Sequence, residues 1–243
     1  MPNATPPTPH PGAGDDTRAV MSRAIRELDS ESLRRAVLES HARIGTDAVV
    51  ADVLVPALRE VGDLWRAGDL SVLHEHHASQ IVRSVVEEFR REELPADAPR
   101  VVLACPPGEL HELPLHLFGL MLAGRGCSPF PLGSSTPWRA IADARRILGA
   151  RVLVLSGAHP AGFSRRVKPL QALARTGPVC VAGAAASGAL PEGIARLSDD
   201  WREAADAVAR MVGEAAAGRP AGGAGARAGG ARPSGERASR VAC

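Results

Sequence analysis

The chain has 243 residues, a formal net charge of +2 and only 3% aromatic residues, with no tyrosine. That length supports one or two domains with a sizeable core, built mainly from Leu, Val, Ile and Ala. The near-neutral charge leaves no electrostatic footprint for nucleic acid, and no apolar stretch is long enough to span a bilayer.

Residues 1–16 are rich in Pro, Gly and Thr and read as disordered. They have neither the basic start nor the apolar run of a secretory leader, so a cytoplasmic location is expected. Residues 17–94 show helical periodicity without strand-like alternation. A first helix is expected over 17–28, with Val20, Met21, Ile25 and Leu28 on one face. A second spans 31–43, with Ser30 as N-cap and Leu33, Val37 and Leu38 inward. A third covers 47–65 and contains Pro56, which should kink or break it. The fourth covers 71–93, capped by Ser71, with Ile81, Val85 and Phe89 at four-residue steps. Four helices with short connections imply an antiparallel bundle.

The rhythm changes after residue 98. Short β-branched runs at 101–106, 127–133, 151–157 and 178–184 alternate with helical stretches at 112–126, 137–150, 164–175 and 199–212. Such alternation predicts an α/β domain over 99–213, a doubly wound parallel sheet of Rossmann-like, flavodoxin-like type. Ligands on these sheets bind beyond the carboxyl ends of the strands. The loops starting at Pro106, Ser156 and Gly183 are therefore the candidate site. Residues 216–243, rich in Ala, Gly and Arg, read as a flexible basic tail. The cysteines at 105, 127, 180 and 243 lack C-x-x-C or zinc-finger spacing; three lie in apolar surroundings that suit buried thiols.

The first loop, CPPGELHELPLH, has no phosphate-binding glycine pattern. It places Glu109 two residues before His111, so a carboxylate can hold one ring nitrogen while the other faces a metal. A solvated loop histidine is the alternative at this point. Upstream, GDLWRAGDLSVLHEHHAS puts Trp65 close to His74, His76 and His77. This cluster reads as a core indole beside a solvated helix face, as a zinc site using His74 and His77, or as part of a cofactor pocket. No Ser-His-Asp elbow or convincing carboxylate pair marks an independent enzyme.

The spacing resembles the cobalamin-binding domain family, whose loop pattern is D-x-H-x-x-G. Here it is Glu109-x-His111-x-x-Pro114, followed after 41 intervening residues by Ser156-Gly157-Ala158 and after 24 more by Gly183-Ala184. Glu replaces Asp, Pro replaces the first glycine, and Ala replaces both the motif's Leu and its last Gly. Ahead of the sheet, Trp65-x9-Glu75-His76 is similar to the cap motif of CarH-type light-sensing domains, as are the segments PGELHELPLHLFGLMLAGRG and PLGSSTP.

The resemblance implies a cobalamin, most naturally 5′-deoxyadenosylcobalamin, with His111 as lower cobalt ligand backed by Glu109. Its nucleotide tail would pass Ser156, Gly157 and Gly183. Trp65 and Glu75 would hold the adenosyl group, and His76 would be the candidate upper ligand after photolysis. The expected function is a photoreceptor that signals through homo-oligomeric state or an unidentified downstream protein. A bilin such as biliverdin is a further candidate chromophore. CarH-type repressors carry a winged helix-turn-helix ahead of the cap; residues 1–16 hold none, so direct DNA binding is not expected. The alternatives are a corrinoid shuttle protein of a methyltransferase system and a zinc-binding or purely structural domain.

Overall fold

In a computed structural model, residues 13–90, 94–160 and 162–217 are described. Most of the N-terminal segment and nearly all of the tail lie outside them. The chain opens with helices α1 (Ala13–Arg26) and α2 (Ser30–Ala48), a π-helical segment (Val49–Leu54), α3 (Val55–Ala67) and α4 (Val72–Phe89). An alternating half follows: β1 (Arg100–Ala104), α5 (Leu113–Ala123), β2 (Ser128–Pro131), α6 (Trp138–Leu148), β3 (Val152–Ser156), α7 (Val167–Ala174), β4 (Val179–Ala182), β5 (Ile194–Arg196) and α8 (Trp201–Ala217). All strand pairs are parallel, in the order β2-β1-β3-β4-β5. This is the doubly wound α/β sheet expected, behind a helical cap.

Several details differ from the sequence reading. Helix α1 starts at Ala13, inside the segment read as disordered. Met21 and Ile25 are buried, but Val20 and Leu28 are exposed; Leu28 lies beyond the helix with φ 55°, so the helical face does not reach it. Asp29, not Ser30, caps α2: its carboxylate accepts from the Ser32 N–H at 3.0 Å. The helical run breaks at Gly45 (φ 79°, ψ 173°), between the expected second and third helices, and is only distorted at Pro56. Having no N–H, Pro56 sits in the first turn of α3, where none is needed. The turns before it widen to π geometry, and the Val55 N–H reaches back five residues to the Val50 carbonyl. Ser71 caps α4 as expected. Strand β5 was missed because its three residues, IAR, form no apolar run.

The sheet buries both faces. Val101, Leu103 and Cys105 face one side, while Val102 and Ala104 face the other, the period-two alternation of a strand. Helix α5 is apolar nearly all round because it lies between the sheet and the cap; every residue from Leu117 to Leu122 is buried. Gly119 lets it approach the sheet, since a Cβ there would meet Leu103 and Pro129 at 3.3–3.4 Å. Cap and sheet share one continuous core, running from Met21 through Val86 and Leu117 to Val212. Ion pairs rim this junction: Arg125 with Asp47 and Asp206, Arg202 with Asp52, and Arg83 with Glu112. Cys105, Cys127 and Cys180 are buried free thiols, as read; Cys243 lies outside the described residues.

Candidate functional site

The three loops singled out in the sequence meet at the carboxyl edge of the sheet, where strand order reverses between β1 and β3. The first leaves β1 through Pro106-Pro107-Gly108-Glu109. The Glu109 N–H closes the turn on the Pro106 carbonyl at 3.0 Å, and Gly108 supplies φ +82°, the turn chemistry of Pro-Gly. The PLGSSTP segment braces this loop from β2. The Ser135 N–H donates to the Glu109 carbonyl at 2.7 Å, and the Gly108 N–H donates to Ser135 Oγ at 3.1 Å.

Glu109 is only 5% exposed, whereas the His111 side chain is 62% exposed. The ring Nδ1–H of His111 donates to Glu109 Oε1 at 2.5 Å, and its backbone N–H reaches the same oxygen at 3.0 Å. The Ala158 N–H donates to Glu109 Oε2 at 2.7 Å. Burial by itself raises the Glu109 pKa, but the His111 and Ala158 N–H groups and the His111 ring outweigh it and hold the carboxyl below its ordinary value. The carboxylate thus fixes the imidazole tautomer and leaves Nε2 as the ring nitrogen with a free lone pair.

His111 lines a cleft of about 820 Å³ that runs along the sheet edge. Ser156, Gly157 and Gly183 line it too, as expected. The glycines are sterically required. A Cβ on Gly157 would stand 2.8 Å from the Ala185 Cβ, and one on Gly183, at φ +77°, would stand 2.5 Å from the Gly157 carbonyl oxygen. Ser156 is buried. Behind them, Phe118 of α5 and Trp201 of α8 meet edge to face at 6.1 Å and form an apolar wall.

The cap residues are not brought together with this floor. Trp65 is 48% exposed near the end of α3 and does not line the cleft. Nor do Glu75 and His76 of α4. Glu75 Oε2 accepts from His76 Nδ1 at 2.7 Å, and its Oε1 accepts from Ser79 Oγ, leaving the His76 side chain 70% exposed. The neighbouring histidines do structural work. His74 Nδ1 accepts from the Ser71 N–H at 3.3 Å and caps α4. His77 Nε2 lies 2.8 Å from Ser30 Oγ and ties α4 to the start of α2. Among the described residues, no group of three His, Cys, Asp or Glu is arranged to hold a metal ion.

Sequence reasoning missed His159, whose ring lies edge-on to His111 at 6.3 Å, and the cap-side lining residues Arg59 and Arg66. His159 belongs to no motif. The two arginines belong to no motif either, and only the placement of α3 brings them to the cleft.

Residues 18–89, the cap, match the B12 binding domain family. Two curated relatives, both from Myxococcus xanthus, are similar in sequence. The HTH-type transcriptional repressor CarA is 31% identical over 122 residues, which cover 50% of this chain and 41% of that protein. The HTH-type transcriptional repressor CarH is 33% identical over 141 residues, covering 56% and 46%. The chain thus spans less than half the length of these relatives. Among solved structures, the Methanosarcina barkeri monomethylamine corrinoid protein superposes with a TM-score of 0.63 at 16% identity, over 82% of this chain and 98% of that one. At that identity the likeness is one of fold.

Proposed function

We propose that this chain is a cobalamin-binding module that holds its cofactor base-off on His111 and reports light-driven loss of the upper ligand. One observation carries the reading. An imidazole fixed by a buried carboxylate, with Nε2 free, stands at the mouth of a cleft floored by glycines that tolerate no side chain. A displaced nucleotide tail needs such a floor, and neutral imidazole is a competent ligand for cobalt. The match of residues 18–89 to the B12 binding domain family supports it.

When bound, the cofactor supplies a cobalt centre whose bond to an upper organic ligand breaks in light. The protein's own residues do the rest. Glu109 keeps the Nδ1 proton in place and Nε2 directed outward. Ser156 offers a buried hydroxyl to a polar tail, and Phe118 and Trp201 exclude water from the cleft. The similarity to CarA and CarH, together with Trp65, Glu75 and His76, favours a photoreceptor over a shuttle. On this reading Trp65, Glu75 and His76 reach the cofactor only if the cap settles onto it. The chain acts as a cytoplasmic sensor rather than an enzyme, and passes its signal through oligomeric state or a partner protein.

Reconstitution with adenosylcobalamin in darkness, followed by a green pulse, tests this. Retention of the cofactor and a stable, protein-specific spectral change are expected. His111→Ala should weaken retention by about tenfold or more, and Glu109→Gln should do so less. His76→Ala should leave dark binding intact and alter only the light product. Binding without a light product moves the reading to a corrinoid shuttle, and an added long-wavelength band in co-expressed protein brings in a bilin. Absence of binding removes the cobalamin assignment altogether.

A further inference from the structure

The upper wall of the cleft carries chemistry that the sequence motifs do not explain. Two residues of α3 line it, Arg59 and Arg66. They are seven residues apart, two helical turns, so they share one face about 10 Å apart along the axis. Gly62 lies between them on that face. A Cβ added to it would find only Arg66 Nη2 within reach, at 4.0 Å. The cap therefore brings two guanidinium groups to the cleft that holds His111, with no side chain on the helix between them at Gly62.

The charge around this strip is unbalanced. The other charged residues lining the cleft are Arg196 and Asp199. Glu109 is buried behind His111 with both oxygens engaged. Arg66 pairs with Asp63 at 2.6 Å, but both side chains are more than two-thirds exposed, so the pair is weak and readily exchanged. Arg59 makes no hydrogen bond or ion pair among the described residues. His111 is the only imidazole lining the cleft among the described residues. The side facing it offers cationic forks in place of a metal-ligating nitrogen.

We propose that Arg59, Gly62 and Arg66 form a recognition strip for a cofactor whose upper ligand carries a carboxylate. This rests on the cobalamin reading and names the upper-ligand class that the site prefers. Guanidinium groups bind carboxylates bidentately in a way that no neutral ligand satisfies. Gly62 leaves room for the ligand to approach the helix, and Asp63 competes with it for Arg66.

Three matched cobalamins test the strip, with 2-carboxyethyl, n-propyl or 3-aminopropyl as upper ligand. Each is equilibrated in darkness with the full chain, and its affinity is read by dialysis. The carboxyethyl form should bind about tenfold more tightly than the propyl form, and the aminopropyl form more weakly than either. R59Q/R66Q should bring the three within twofold of one another, with the far-ultraviolet spectrum and melting curve showing that the variant is folded. Asp63→Asn should widen the carboxyethyl preference, and Gly62→Leu should narrow it. His111→Ala should weaken all three forms by the same factor and keep their ratio, separating the strip from the lower ligand. Equal affinities in the unaltered protein, or a preference that survives R59Q/R66Q, overturns the strip. If no cobalamin binds, the cobalamin reading falls and the strip with it.

Discussion

Glu109, Gly183 and the cysteines show how single residues define this site. Glu109 is ionised and buried because three donors hold it, so it acts as a rigid anchor for His111 rather than as a proton store. Gly183 sits at φ +77° against the Gly157 carbonyl. Gly183→Ala would add both left-handed strain and a close contact, at a cost of about 2–3 kcal/mol, measurable by urea denaturation; a neutral result would show that the loop relaxes freely. Burial pushes the Cys105 and Cys180 thiols up from 9.0 to about 12. Their thiolates form more readily in the unfolded chain, so their share of stability is constant below pH 9 and falls as the pH rises toward 12. At pH 8 both should resist iodoacetamide in the native protein and react fully in denaturant, as read by peptide mass spectrometry.

At the scale of elements, the connections matter most. Arg145 on α6 is buried without a carboxylate partner. Its guanidinium donates instead to the carbonyls of Leu173, Gly177 and Pro178 and to Thr176 Oγ1, tying the end of α7 to the start of β4. Burial lowers its pKa to about 10, which still leaves it charged at neutral pH. Arg145→Met should strand these acceptors and cost about 2–3 kcal/mol, visible as a lower denaturation midpoint. A change below 0.5 kcal/mol, on the scale of an ordinary surface substitution, would mean that water replaces the side chain. The motif loops were legible because each begins where a β-branched run ends. The three-residue β5 and the Asp29 cap were not, since neither has a pattern that separates it from loop sequence.

Across the whole molecule, cap and sheet behave as one body because their buried residues are continuous through α5. The described residues should unfold in a single thermal transition, with coincident far-ultraviolet circular dichroism and tryptophan fluorescence curves. Two separated transitions would show that the cap melts alone. The ion pairs at the rim add little: Arg202→Ala should shift stability by less than about 1 kcal/mol, because Arg202 and Asp52 are both well exposed. High salt should leave the transition cooperative.

The sequence alone determined the two rhythms of the chain, the parallel sheet, and the Glu109–His111 dyad with Ser156, Gly157 and Gly183. The rhythms and the dyad are local facts, strand periodicity and a two-residue spacing, while Ser156, Gly157 and Gly183 came from the ends of apolar runs and from a resemblance spaced by 41 and 24 residues. Only the tertiary structure decided what stands across the cleft. Trp65, Glu75 and His76 were grouped by resemblance, yet Arg59 and Arg66 of α3 line the cleft and neither Trp65 nor the α4 residues Glu75 and His76 do. Which face of a helix meets a partner surface depends on packing through α5 and on the break at Gly45. Those are contacts between residues far apart in the chain, and no local pattern records them.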